Sequence, residues 1–124
     1  MAKLIEIKSI SDDRGRLCVI ESQKEIPFDI KRVFYIYDIG KNSIRGGHRH
    51  KKTKLALICL HGSCMISNDN GESEADYFLD SPTKCLLLNP EDFHTMHDFN
   101  KGTVLLSIAS EHYDPDDYIY EAYR

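Results

Sequence analysis

The stretch GGHRHKKTKLALICLHG, Gly46 to Gly62, decides how the chain is read. Two histidines, His48 and His50, stand two residues apart. In an extended strand alternate side chains share a face, so both imidazoles project to the same side of a sheet. A short apolar run, LALICL, follows, and a His-Gly turn signal closes it. Runs of this length, rich in Leu, Ile and Cys and bounded by turn residues, are strands.

The same pattern extends in both directions. KLIEIKSI, RLCVIES and RVFYIYDI precede the stretch; CMISN, DYFL, KCLLLN and TVLLSIAS follow it. Between them lie Asp12-Asp13-Arg14-Gly15, Lys41-Asn42, Asp69-Asn70-Gly71, Ser81-Pro82 and Lys101-Gly102. Asn70-Gly71 predicts a tight hairpin, because both central positions of a type I′ turn need positive φ. Turn signals spaced roughly eight to twelve residues apart predict an all-β sandwich or small barrel. One helix is predicted, at the end: Asp114 as cap, Pro115 in the first helical position, and Asp116 and Asp117 favouring the N-terminal dipole.

With 124 residues the chain suits a single domain, 1–124, built on one core. Hydrophobic residues at 41% and charged residues at 29% are ordinary for a globular protein and exclude a disordered one. A net charge of −4 gives no general attraction to nucleic acid, so an anionic ligand has to meet a local basic cluster. Neither a signal-like n-region after Met1 nor a run of membrane-spanning length is apparent, which makes the cytoplasm the expected location and a membrane partner unexpected. Cys18, Cys59, Cys64 and Cys85 form no CxxC pair and are read as reduced core residues.

The polar residues inside this β framework are candidates for chemistry. Tyr35 and Tyr37 share one face of RVFYIYD, and Phe34 and Ile36 share the other. Either pair could face the interior: the tyrosines would join the histidines there, or stand outside with wet hydroxyls. His94 and His97 form a second cluster in PEDFHTMHDF, after a leucine-rich strand and Pro90. Two imidazoles side by side need polar partners, which packing alone does not supply. Arg45 and Arg49 are the side chains best shaped for a diphosphate, since a guanidinium binds phosphate oxygens in bidentate fashion. Lys51 and Lys52 are read as a solvated edge.

The glycine, the His-x-His pair, the closing Gly62 and the Pro90 to His94 segment resemble the cupins. That resemblance implies a jelly-roll barrel of two antiparallel sheets with a short C-terminal helix. Cupins carry a glutamate after the histidine pair as a metal ligand. Here Lys54 or Leu55 stands in that place, so no metal and no cofactor is expected, an ammonium having no lone pair to give.

A narrower resemblance spans nearly the whole chain. RVFYIYD, SIRGGHRHKKTK, LHGSCMISNDNG, LDSPTKCLLLNPEDFHTMHDF and SEHYDPDDYI, in that order, look like the thymidine-diphosphate-sugar 3,4-ketoisomerases. The resemblance implies movement of a ketone from C4 to C3 of a dTDP-linked 6-deoxyhexose through an enediol or enediolate, supplying a 3-amino-3,6-dideoxy sugar. Moving a ketone this way needs proton transfer near neutrality and no redox partner, and histidine suits it. His48 and His50 are the expected acid/base pair, with Tyr35 or Tyr37 bonding a sugar oxygen; Arg45, Arg49, His94 and His97 are the expected substrate contacts. The family is dimeric, and an edge strand such as KLIEIKSI gives a reason to pair, so a homodimer is expected. An epimerase would use the same groups, and a non-catalytic sugar-binding protein would keep the ligand without turnover.

Overall fold

The structure is a computed structural model that describes residues 2–124. In chain order its strands are β1 (Lys3–Glu6), β2 (Ser9–Asp12), β3 (Gly15–Cys18), β4 (Arg32–Ile36), β5 (Arg45–His50) and β6 (Leu55–His61). They are followed by β7 (Cys64–Asp69), β8 (Glu74–Leu79), β9 (Lys84–Leu88), β10 (Phe93–His97), β11 (Val104–Ala109) and β12 (Tyr118–Ile119). One antiparallel sheet has the order β1-β9-β6-β11-β4 and the second the order β12-β5-β10-β7-β8, while β2 and β3 form a separate hairpin.

These orders correct the expected barrel. Each five-stranded sheet ends on two edge strands, and no ladder among the described residues joins one sheet to the other. The sheets are open layers that meet through side chains. Connections such as Gly62–Ser63 carry the chain across without a backbone ladder between β6 and β7, so the layers stay unclosed. The expected C-terminal helix is also smaller than foreseen: a 3-10 turn of three residues, Pro115–Asp117. Asp114 caps it by accepting from the Asp116 amide at 3.0 Å. It stops there because Tyr118 is already extended and pairs with β5.

Leu57, Ile66, Leu79, Leu86 and Leu105, none with any exposed surface, fill the space between the layers. The outer face of the first sheet is covered too: Ala56, Ile58, Cys85 and Ile108 pack under Ile7, Ile26 and Phe28. This explains the unbroken run LALIC in β6, since a strand buried on both faces has no polar side to show. Burying each such leucine or isoleucine contributes about 1.5–3 kcal/mol. The four cysteines are free thiols, three of them buried among these residues.

The Asn70-Gly71 signal marks a real hairpin with a different turn. Asp69 pairs with Glu74, so the loop holds the four residues from Asn70 to Ser73. Gly71 alone takes a positive φ, +94°, and the Asn70 side-chain oxygen accepts from the amides of Glu72 and Ser73, both at 2.9 Å. The asparagine serves as a loop acceptor instead of a left-handed residue.

Candidate active site

The site is built on β5, β10 and the segment entering β12. His48 lies opposite His94 in the β5–β10 ladder, and Thr95 then pairs with Gly46, which leaves Gly47 as an extra residue in β5. Gly46 and Gly47 both have φ of +78°. A Cβ on Gly46 would fall 2.8 Å from the His94 carbonyl oxygen, whereas one on Gly47 would meet nothing. The paired glycines make a bulge that bends β5 and brings His48 and His94 together.

Three imidazoles converge as a result. Ring centroids of His48 lie 5.0 Å from His50 and 4.9 Å from His94, and those of His50 and His94 are 6.3 Å apart. They line one pocket of about 170 Å³ with Arg32, Phe34, Ile36, Arg45, Leu55 and Tyr118. Tyr118 packs its ring 4.7 Å from His48 and 4.6 Å from His50.

Each histidine has a defined state. His50 Nδ1 lies 3.0 Å from the Asp117 carboxylate, and His94 Nδ1 lies 3.1 Å from the Asp92 carbonyl. Both acceptors lack a proton to give, so in each ring Nδ1 carries the hydrogen and Nε2 keeps its lone pair. Both Nε2 atoms are buried without a partner in the protein. Such atoms need a ligand or water to offset their lost hydration. Burial, reinforced by the neighbouring His50, pushes His48 down to about 4. Burial pushes His94 down to about 3, and lowers His50 as well, against the opposing pull of Asp117. The three rings are therefore neutral at pH 7, the form that accepts a proton.

Asp117 itself is buried. Burial alone would raise its pKa, but Thr53 Oγ1, the Lys52 amide at 2.8 Å and His50 all bond its oxygens and hold it below the ordinary carboxylate value. A carboxylate so held fixes the tautomer of the imidazole it faces.

The other sequence candidates are distributed differently. Phe34 and Ile36 face the core and the pocket, while Tyr35 and Tyr37 are 62% and 61% exposed on the opposite face of β4, stacked on one another at 6.1 Å. Arg45 lines the pocket. Arg49 turns to the far side of β5, where its guanidinium lies 4.3 Å from the Tyr123 ring. His97 also faces away, bonding Ser67 Oγ at 2.7 Å and the Asp98 carboxylate at 2.6 Å. Of the two residues that the cupin resemblance set against the glutamate, Lys54 is exposed and Leu55 lines the pocket. Among the described residues no group of three or more His, Cys, Asp or Glu is spaced to hold a metal ion.

Arg32, Asp117 and Tyr118 are site residues that the sequence reading did not single out. Arg32 lays its guanidinium over Phe34 at 5.1 Å and Tyr113 at 5.6 Å, and its Nε is buried without a partner. Asp117 is 67 residues from His50, and its place in the acidic run DPDD reads locally as a helix cap.

Comparison with known proteins adds to this geometry. The protein-family model described as FdtA: WxcM-like, C-terminal matches residues 1–124. The chain is 46% identical over 117 residues to the TDP-4-oxo-6-deoxy-alpha-D-glucose-3,4-oxoisomerase of Aneurinibacillus thermoaerophilus, covering 94% of this chain and 84% of that one. The chain belongs to the FdtA family of sugar 3,4-ketoisomerases. A histidine-to-asparagine variant of the family's 3,4-ketoisomerase from Thermoanaerobacterium thermosaccharolyticum, solved with TDP-4-keto-6-deoxyglucose, superposes with a TM-score of 0.93 at 43% identity. The match spans 97% of this chain and 87% of that one. A ketoisomerase from Helicobacter canadensis matches at 36% identity and the same TM-score, over 97% of this chain and 90% of its own. Among the described residues no helix is long and apolar enough to cross a membrane.

Proposed function

We propose that this ketoisomerase moves the ketone of a dTDP-linked 4-keto-6-deoxyhexose from C4 to C3, with His48 and His50 as the proton-transfer pair. The observation that carries the assignment is the convergence of three neutral imidazoles on one pocket, with the buried Nε2 atoms of His50 and His94 left without a partner. A neutral imidazole takes the proton from C3, the electron pair of that bond forms the C3–C4 double bond, and the C4 oxygen gains the charge of an enediolate. The C3 hydroxyl proton then passes to the C4 oxygen while the protonated imidazole returns a proton to C4, which leaves a ketone at C3 and a hydroxyl at C4. With ring centres 5.0 Å apart, the two imidazoles reach adjacent carbons of one sugar.

The other residues support that sequence. Asp117 orients His50 and stabilises it once protonated. Arg32, whose Nε has no partner in the protein, stabilises the enediolate oxygen, since a preorganised cation contributes most in a site that excludes water. Arg45 at the pocket wall is placed for the diphosphate. His94 contacts the sugar through its free Nε2. The phenol assigned from sequence to Tyr35 or Tyr37 is supplied at the pocket by Tyr118.

The wider assembly is a homodimer formed at the β4 edge of the first sheet, beyond the part of its outer face that Ile7, Ile26 and Phe28 cover. Val33, Tyr35 and Tyr37 stand more than half exposed there, and the β2–β3 hairpin leaves Ile10 and Leu17 equally bare beside a cavity of about 700 Å³. Large apolar side chains left this exposed support pairing with a second copy. Light scattering that shows a monomer mass at all concentrations would rule the dimer out.

Proton NMR of the EDTA-treated protein with dTDP-4-keto-6-deoxyglucose in deuterium oxide tests the function. The expected result is a 3-keto product carrying deuterium at C4. Inversion at a carbon with the ketone still at C4 would indicate an epimerase, and binding without turnover a sugar-binding protein.

A further inference from the structure

Arg49 stands between the two histidines of β5, and strand alternation turns it to the opposite face from theirs. On that face it meets the end of the chain. Its guanidinium lies 4.3 Å from the centre of the Tyr123 ring, and its Nε donates to the Glu121 carbonyl at 3.4 Å. The Tyr123 hydroxyl donates to the Glu91 carbonyl at 2.8 Å. The ring also seals against Gly71, where an added Cβ would come within 3.1 Å of it. Beyond it, Arg124 Nε pairs with Asp69 at 3.1 Å and Glu74 at 3.6 Å. The last residues are thus pinned at the β7–β8 loop and at the approach to β10.

The residues just before them touch the histidines. Tyr118 pairs with His50 and Ile119 with Arg49 in the β12–β5 ladder. Asp117 bonds His50 from the adjoining turn, and its carbonyl accepts from the Lys51 amide at 2.9 Å. A strand of two residues supplies few ladder bonds of its own. What flanks it decides where it sits.

We propose that Arg49 and Tyr123 form a clamp that positions Asp117 and Tyr118 on the catalytic imidazoles; both are positioning residues and neither touches substrate. The proposal rests on the reading of His48 and His50 as the proton-transfer pair. The arginine inside the His-x-His motif then has a defined purpose. The ladder that presents the histidines to the pocket presents Arg49 to the tail that holds their partners.

The test compares full-length Arg49→Ala, Tyr123→Ala and the double variant. Three quantities are measured: kcat and KM for isomerisation, affinity for TDP by calorimetry, and the low-field NMR proton of His50 Nδ1 bonded to Asp117. Each single variant is expected to lower kcat about tenfold and broaden or abolish the His50 proton. TDP affinity is expected to stay within about twofold, and the double variant to be no worse than either single, as members of one unit behave. If Arg49→Ala does not fold, Tyr123→Ala and a chain ending at Ala122 carry the same readouts. A drop of more than about tenfold in TDP affinity for Arg49→Ala, with Tyr123→Ala normal, would place Arg49 on the diphosphate and overturn the clamp. Wild-type kcat and an unchanged His50 proton in both singles would overturn it as well. Should the wild type show no isomerisation, the catalytic reading fails on its own, and the His50 proton still decides the clamp.

Discussion

Asp117 Oδ2 lies 3.0 Å from Nδ1 of His50, and both side chains are buried. A carboxylate withdrawn from water and held by three donors is rigid, so the imidazole it faces has one orientation and one tautomer. The free Nε2 is thereby aimed at the pocket. Replacement of Asp117 by Asn keeps the shape and removes the charge. The expected result is a fall in kcat of about 10²-fold with KM changed little, comparable to the loss seen when the partner of a functional histidine is removed. Steady-state kinetics of Asp117→Asn checks it; a normal kcat would detach the carboxylate from the chemistry.

Stability is expected to fall on acidification, beginning near pH 6.5. The folded pKa values of His48 and His94 are depressed, to about 4 and about 3, and His50 is lowered too. Between those values and the unfolded value of 6.5 the unfolded chain binds more protons, so unfolding free energy rises with pH across that window and is lost as pH falls through it. Denaturant midpoints at pH 7.5 and pH 5 measure the effect, and equal midpoints would contradict neutral buried histidines.

The two glycines before the histidines are expected to respond differently to alanine. Both positions need positive φ, which costs roughly 1 kcal/mol for an alanine. Gly46→Ala adds a Cβ that would lie 2.8 Å from the His94 carbonyl, whereas Gly47→Ala has free space. Gly46→Ala is therefore expected to lose about 2–3 kcal/mol and most of its turnover, since the bulge that joins His48 to His94 must shift. Gly47→Ala is expected to lose only about 1 kcal/mol. Thermal melts of the two variants, side by side, decide this.

Tyrosine variants separate the two faces of β4 from the pocket. Tyr118→Phe removes the hydroxyl of the ring packed on both His48 and His50, and is expected to lower kcat about tenfold. Tyr35→Phe and Tyr37→Phe act on rings outside the pocket and are expected to leave kcat within about twofold. A collapse of turnover in Tyr35→Phe or Tyr37→Phe would return the phenol role to β4.

Much of this arrangement was legible in the chain itself. The alternation of His48 and His50, the both-sides-buried run of β6 and the turn residues between strands are local signals, and local periodicity is what a β-strand expresses. His94 was legible as a second cluster entering from a neighbouring strand, because a leucine-rich strand and Pro90 precede it. The ordered segments from RVFYIYD to SEHYDPDDYI carried the family. Sequence could not say which face of RVFYIYD is buried, since tyrosine tolerates either side; packing of Phe34 and Ile36 into the core decided it.

What the sequence by itself determined is most of the strands, the imidazole pair and the family to which both belong; β10 and β12 were not among its strand segments, and KLIEIKSI divides between β1 and β2. Tertiary structure alone decided that the sheets remain open, that Asp117 reaches His50 across 67 residues, and that Arg49 and His97 face away from the pocket. Strand identity follows from neighbours in the chain. Whether sheet edges meet, and which carboxylate meets which imidazole, depends on how distant segments pack.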